Sequence, residues 1–269
     1  MRTTIARMVG LGMLGVQFVV PPSLLAADLQ TIVNRGRLVV AVKDNLPPLG
    51  FSEAGRLQGF EIDLARRLAE DLFGRSDAVE LKPVNNRDRI PSVINGSVDL
   101  AIARVTNTVS RARIVHFSLP YYFDGTGLIT RSLTLQTEAD LSKQTLGSAN
   151  LRIAVLNGSS TIATLRYKLP HLNLVGVDSY QAARDLLDAG TVDAFAADVS
   201  MLTGWAQTAS GYRVLPVRLS IEPLCVVLPK GVQYTELQQR VNRAIAQWQS
   251  EGWLQKRAIY WGLPWATLK

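Results

Sequence analysis

The sequence predicts an α/β protein made of two lobes of related build. Short apolar runs alternate with helical stripes in the order strand, helix, strand, helix, strand, which is the pattern of a sheet covered by helices. The stretch Val93-Ile94-Asn95-Gly96-Ser97-Val98-Asp99 and its following apolar run recur at lower fidelity about 90 residues later. The second copy is Leu187-Asp188-Ala189-Gly190-Thr191-Val192-Asp193 with Ala194-Phe195-Ala196-Ala197. The strand from Val98 to Ala103 ends in Arg104-Val105-Thr106-Asn107-Thr108, and its counterpart ends at Asp198. In an open parallel sheet, ligands sit beyond the carboxyl ends of the strands, where loops and helix N-termini diverge. Arg104, Thr106 and Arg111 are therefore site candidates on one lobe and Asp198 on the other. A cleft between them suits a zwitterion.

Residues 1–27 read as a signal peptide. Arg2 and Arg7 precede an apolar segment from Met8 to Val20, and Leu25-Ala26-Ala27 offers a cleavage site. The apolar segment is shorter than the roughly 20 residues a membrane-spanning helix needs, and no cysteine follows it to carry a lipid. What remains is long enough for two lobes with cores of their own. The formal net charge of +7 is spread without a dense Lys/Arg run interleaved with aromatics, and there is no helix-turn-helix pattern, so no nucleic-acid partner is expected. Cys225, the single cysteine, lies in the apolar run Leu224 to Leu228 and reads as a small buried hydrophobe. His116 and His171 stand apart with no carboxylate or thiol cluster around them, so neither a metal nor a cofactor is expected.

Along the chain, Leu38 to Val42 is a buried-strand run ending in Lys43-Asp44-Asn45, and Pro47-Pro48 forbids its continuation. Lys43 thus sits at a strand's carboxyl end, like Arg104. Phe60 to Phe73 is a helix ended by Gly74. Phe60, Leu64, Ala65, Leu68, Ala69 and Leu72 form its apolar stripe, and Glu61, Asp63, Arg66, Arg67 and Glu70 read as a solvated face without chemistry. Val79 to Val84 is a strand, and Pro91 opens a short helix to Ile94. Arg89 either faces the cleft from that helix start or lies on the surface beside Asp88. Val115 to Tyr122 and Gly125 to Thr130 follow, with Tyr121 and Tyr122 weighted toward packing. The polar stretch from Ser132 to Asn150 is expected to cross into the second lobe.

There the pattern restarts. Leu151 to Leu156 is a strand, and Asn157-Gly158-Ser159-Ser160-Thr161 opens a helix to Leu169. A glycine turn with hydroxyls at a helix N-terminus suits a carboxylate, although Ser and Thr are also ordinary N-caps. No Gly-Lys-Ser/Thr ending is present, so a nucleotide P-loop is not expected. Asn173 to Val177 (strand), Ser179 to Ala189 (helix), Val192 to Ala197 (strand) and Val199 to Ala209 (helix) complete the lobe. Strands at Tyr212 to Leu219 and Leu224 to Leu228 lead to a helical tail from Thr235 to Gly262, whose tryptophans read as packing residues.

From about Leu38 to Gly262 the chain resembles the periplasmic polar amino-acid-binding proteins of ABC importers, the type II solute-binding family. The marks are LVVAVKDNLPPLGF (Leu38 to Phe51), LQGFEIDLARRLAE (Leu57 to Glu70), NRDRIPSVINGSVDL (Asn86 to Leu100), TNTVSRARIVHFSLPYY (Thr106 to Tyr122), LNGSS (Leu156 to Ser160) and VDAFAAD (Val192 to Asp198). The resemblance implies a two-lobe periplasmic binding protein type II fold with a two-strand hinge. Lobe 1 is expected over residues 28–129, lobe 2 over 130–221, and the return of lobe 1 with its C-terminal helix over 222–269. It further implies a monomer in the periplasm that is not an enzyme. Such a protein captures a polar L-amino acid and delivers it to a membrane-embedded permease with its ATPase.

Residue by residue, Arg111 matches the family's arginine that clamps the ligand α-carboxylate, and Thr106 matches a hydroxyl residue at the ligand backbone. Ser160 matches the second lobe's hydroxyl at the carboxylate, and Asp198 the acid that pairs with the α-ammonium. A planar guanidinium grips a carboxylate with two parallel bonds, which agrees with that role for Arg111. Leu46 stands where many relatives place a stacking aromatic, and Arg104 replaces a usual small hydroxyl residue. The glutamate/aspartate-binding branch has a basic residue at the position of Lys43, an arginine at that of Arg89, and a segment resembling Thr106 to Arg111. The expected ligand-binding set is Lys43, Arg89, Arg104, Thr106, Arg111, Ser159, Ser160 and Asp198.

Charge counting then favours an acidic amino acid, with glutamine the nearest alternative. Arg111 and Asp198 answer the two charges of an α-amino acid, leaving Lys43, Arg104 and Arg89 for an anionic side chain, since buried unpaired cations are costly. Two other classes compete. An exported enzyme on the same fold, such as a dehydratase of prephenate-like acids, needs a proton donor of tuned pKa in the cleft, for which Asp44 and Asp198 are the candidate carboxylates. A sensor domain is disfavoured because no second membrane segment or output domain follows Lys269.

Overall fold

The computed structural model describes residues 26–143 and 151–265. The expected signal peptide lies outside them except for Ala26 and Ala27. The first half of the chain runs α1 (Leu29–Arg35), β1 (Leu38–Val42), a small meander of β2 (Asn45–Leu46), β3 (Gly50–Glu53) and β4 (Arg56–Gln58), then α2 (Phe60–Phe73), β5 (Val79–Pro83), α3 (Pro91–Ile94), β6 (Leu100–Ile102), α4 (Val109–Ala112) and β7 (His116–Asp124). The second half runs β8 (Thr126–Thr130), α5 (Glu138–Lys143), β9 (Arg152–Leu156), α6 (Thr161–Lys168), β10 (Asn173–Val177), α7 (Tyr180–Asp188), β11 (Ala194–Asp198), α8 (Val199–Thr208), β12 (Arg213–Val214), β13 (Glu222–Leu228), α9 (Thr235–Ser250) and α10 (Trp253–Tyr260).

Two five-stranded sheets, in the orders β5-β1-β6-β13-β7 and β10-β9-β11-β8-β12, give two lobes. In the first, β1 is buried along its whole length and pairs in parallel with both β5 and β6, which is why it reads as an unbroken apolar run. The apolar stripe of α2 joins Ile32, Tyr121 and Trp248 in this lobe's core, and Gly74 ends the helix in a left-handed turn whose N–H returns to the Glu70 carbonyl. In the second, period-two alternation divides β9 between two cores. Ile153 and Val155 pack with Leu128 and Leu165 on one face, and Ala154 packs with Phe195 and Trp205 on the other.

The chain crosses between lobes at Asp124 to Thr126, earlier than the polar stretch from Ser132 to Asn150. β8 already belongs to the second sheet, where it pairs antiparallel with β11 (Ile129 opposite Phe195); residues 144–150 of that polar stretch lie outside the described residues. The returning chain passes so close that a β-carbon on Gly125 would meet the Ser220 carbonyl oxygen at 1.9 Å. Ser220 Oγ accepts Thr126 N–H at 2.8 Å, and the buried Asp124 carboxylate accepts Gly125 N–H at 2.9 Å and both the N–H and hydroxyl of Ser200 in α8. The hinge is thereby tied to the start of α8.

Several elements differ from the sequence reading for identifiable reasons. The strand expected over Tyr212 to Leu219 shortens to β12, because Pro216 has no N–H to give the ladder. The helical tail divides at Gly252, which adopts a left-handed conformation (φ 69°) between α9 and α10. Helix α1, capped by the Asp28 side chain on Thr31 N–H, and the meander β2-β3-β4 lie in segments whose pattern is too short to register.

Candidate functional site

Parallel pairing brings three of the expected cations to one edge. Strands β5, β1 and β6 are neighbours, so the loop carrying Arg89, the end of β1 at Lys43, and Arg104 after β6 all leave the same side of the first sheet. Lys43 is 4 % exposed and its ammonium donates to the Val84 carbonyl at 2.7 Å. Arg89 neither reaches out to the cleft nor lies on the surface beside Asp88. Its buried guanidinium donates to the carbonyls of Asn86 (3.1 Å), Ala103 (3.0 Å) and Arg104, so it closes the end of β6.

Glu61 is the residue the sequence reading placed wrongly. It is fully buried rather than solvated, and its Oε1 accepts both Tyr121 O–H (2.6 Å) and Arg104 N–H (2.7 Å), while Oε2 has no hydrogen-bond partner. The signal was present in the periodicity: Glu61 stands three, four and seven residues before Leu64, Ala65 and Leu68, on the same side of the helix as the stripe. Asp63 is also engaged, accepting Arg257 Nε at 2.6 Å and Trp261 Nε1 at 2.7 Å. Arg104 is held from both sides, its N–H by Glu61 and its carbonyl by Arg89, in a left-handed conformation (φ 48°) that is uncommon for a residue with a β-carbon.

Beyond Arg104, Thr106 bridges to Leu224 of β13, and its carbonyl accepts Arg111 Nη1 at 2.9 Å. Thr108 caps α4 by accepting Arg111 N–H, which sets the base of the Arg111 side chain. On the second lobe β9 and β11 are adjacent and parallel, so the turn Asn157 to Ser160 and Asp198 emerge from one edge. Ser160 sits at the N-cap of α6 but makes no side-chain capping bond, and Ser159 Oγ is buried without a hydrogen-bond partner. The ordinary capping role is therefore not the one these hydroxyls fill.

The two edges meet. Arg104 Nη1 forms an ion pair with Asp198 Oδ2 across the cleft, with about a fifth of each side chain exposed, and Arg104 Nε is buried without a partner. Beside this pair α8 lies against the first lobe, with Gly204 over the Pro47 carbonyl and Gln207 Nε2 donating to the Trp261 carbonyl at 3.0 Å. Leu46 and Pro47 face Met201, Gly204 and Trp205 around a cavity of about 260 Å³. A larger cavity of about 660 Å³, between α8 and the C-terminal segment, holds none of the expected site residues.

The cations repel one another. Burial pushes the Lys43 ammonium below its ordinary pKa, helped by Arg89 and Arg104. Burial likewise brings Arg89 down to about 10, with Arg104 and Arg111 adding to the shift, and Arg111 is lowered by burial and by Arg104. Burial raises Glu61 against its bonds to Tyr121 and Arg104. A cluster of this kind favours a bound anion. Among the described residues no group of His, Cys, Asp and Glu is arranged to hold a metal ion.

Residues 38–264 match the family of bacterial extracellular solute-binding proteins, family 3. A glutamine-binding protein of Geobacillus stearothermophilus is 33% identical over 198 residues, covering 72% of this chain and 73% of that protein. Among solved structures, a solute receptor for L-cysteine of Neisseria gonorrhoeae is similar with a TM-score of 0.66 and 28% identity, over 87% of this chain and 93% of that one. An ancestral cationic amino acid solute-binding protein is similar with a TM-score of 0.70 and 26% identity, over 87% of this chain and 98% of that one. With two α/β lobes, a two-strand hinge and strand ends converging on one cleft, the chain belongs to the bacterial extracellular solute-binding proteins, family 3, and has the type II periplasmic binding protein fold.

Proposed function

We propose that the protein captures an acidic L-amino acid, glutamate or aspartate, in the cleft between its lobes and delivers it to an ABC permease in the periplasm, acting as a monomer without chemistry of its own. The observation that carries this reading is the charge of the cleft. Lys43, Arg89, Arg104 and Arg111 act on one another, and the carboxylate facing them from the second lobe is Asp198. Arg111 suits the α-carboxylate, Thr106, Ser159 and Ser160 suit the ligand's backbone groups, and Asp198 suits the ammonium. The cationic surplus suits a side-chain carboxylate. Lys43 and Arg89 act through the field they create, since each is tied to backbone carbonyls of its own lobe. Similarity leaves the side chain open, because the relatives bind, by their names, glutamine, L-cysteine and cationic amino acids.

Enzymatic use of the cleft finds less support. Asp198 is paired with Arg104, and Glu61, whose carboxyl is raised, is sealed beneath the Arg104 backbone instead of opening to a substrate. A thermal-shift panel of amino acids and dicarboxylic and keto acids at one concentration tests the reading, since stabilisation grows with the ratio of ligand to dissociation constant. Glutamate or aspartate should give the largest shifts. Larger shifts with arginine or lysine would refute the acidic assignment, and mass analysis of the same mixtures would expose any turnover.

A further inference from the structure

The direct pairing of Arg104 with Asp198 has a consequence for which ligands can enter. Asp198 is the acid assigned to a ligand's ammonium, so an incoming ammonium competes with a guanidinium already in contact with it. We propose that Arg104 is a specificity-determining residue that works by partner exchange: the ligand's ammonium takes Asp198, and Arg104 is released to the ligand's side-chain carboxylate. This inference rests on the amino-acid reading of the cleft given above and adds the device that selects the side chain.

The exchange conserves ion pairs only for an acidic amino acid. A neutral amino acid takes Asp198 and offers Arg104 nothing in return, leaving a guanidinium beside Arg89, Arg111 and Lys43, all of which it repels. An uncompensated cation in a closing cleft is expensive. The surroundings allow the side chain to move while its base stays fixed. Glu61 holds the Arg104 N–H and Arg89 holds its carbonyl, so the Cα is anchored by two buried groups whose hydrogen bonds to Arg104 go to its backbone. The guanidinium itself makes its ion pair through Nη1, and its Nε lacks a hydrogen-bond partner, leaving a donor for a second carboxylate.

The backbone geometry supplies a clean test. Glycine adopts φ near +48° without strain, and asparagine tolerates it better than other residues with a β-carbon. Arg104→Gly therefore keeps the bonds to Glu61 and Arg89 while removing the guanidinium, and Arg104→Asn is a second variant should the glycine loosen the loop. Calorimetric titration of the wild type and both variants with L-glutamate, L-aspartate and L-glutamine reads the outcome. The wild type should prefer an acidic ligand. The variants should lose about tenfold or more in affinity for it, as expected when a ligand charge loses its partner, and should bind glutamine more tightly than the wild type does. Equal weakening for all three ligands, or an unchanged ratio of glutamate to glutamine affinity, would overturn the exchange while leaving the amino-acid reading in place. A wild-type protein that binds none of the three would refute that reading and the exchange with it.

Discussion

Gly204 controls how closely the lobes can approach. It lies inside α8, where alanine is the better helix former by about 1 kcal/mol, so on local grounds Gly204→Ala should stabilise the protein. Across the lobe boundary the effect reverses. An added β-carbon would stand 2.1 Å from the Pro47 carbonyl oxygen and 2.8 Å from its carbon, both of them backbone atoms that cannot rotate away. Restoring ordinary contact requires the lobes to part by about 1 Å at this point. Each lobe has its own packed core, so the displacement falls on the hinge, and the pairing of Arg104 with Asp198 is stretched with it. Overpacking of this kind costs about 1–3 kcal/mol, which corresponds to about 5–150-fold in ligand affinity. Calorimetry with the amino acid that gives the largest thermal shift should show that loss. The melting temperature of the free protein should hold or rise, and X-ray scattering of the saturated variant should give a larger radius of gyration than saturated wild type. Undiminished affinity, together with a lowered melting temperature, would show that α8 absorbs the strain and that lobe approach is not limited there.

Three further outcomes are expected. Arg111→Ala should weaken every amino-acid ligand by about 2–5 kcal/mol through loss of the carboxylate's bidentate partner while leaving the urea midpoint near that of the wild type, and unchanged affinity in calorimetry would remove Arg111 from the site. Asp198→Asn should weaken acidic amino acids more than dicarboxylates that lack an amine, measured as the ratio of their dissociation constants; an equal loss would assign Asp198 to holding the lobes together. Burial raises the Glu61 carboxyl above its ordinary value of 4.5, so its favourable contribution to folding is complete below that value and is lost as pH rises through the raised one. Glu61→Gln removes this dependence, and its urea midpoint relative to wild type should improve as pH is raised across that window. A difference that stayed flat or declined would show that Glu61 ionises in the fold without cost.

Much of the fold was legible because its determinants are local or periodic. The strand Leu38–Val42 and the helix Phe60–Phe73 are read from an unbroken apolar run and a stripe ended by glycine, and both have the expected limits. The repeat of helix, turn and strand pointed to two lobes for the same reason: each lobe must solve the same packing problem with the same short-range signals. Candidate site residues were legible where chemistry stands at a strand's carboxyl end, as at Lys43, Arg104 and Asp198, since a parallel sheet delivers such residues to one edge whatever their partners.

What the chain alone left undecided was which of these groups meet. Arg89 was read as open to ligand or solvent, yet its guanidinium is spent on the carbonyls that end β6, because that loop folds back over the strand. Glu61 was assigned to solvent, although it lies in phase with Leu64, Ala65 and Leu68. A carboxylate at a helix's first turn is normally hydrated, and only the loop after β6, supplied 43 residues later, brings the N–H that lets it be buried. The crossing at Asp124 to Thr126 interrupts the apolar pattern for only three residues, and its polar side chains are buried between the sheets, so it reads as a short turn rather than as a passage between lobes. The pairing of Arg104 with Asp198 joins residues from opposite lobes, and it depends on how two bodies close about a hinge, a relation encoded in no local pattern. Sequence thus determined the elements and the chemistry carried to each edge, and tertiary structure decided the partners, since partnership across a cleft is set by the geometry of two lobes and not by the neighbours of either residue.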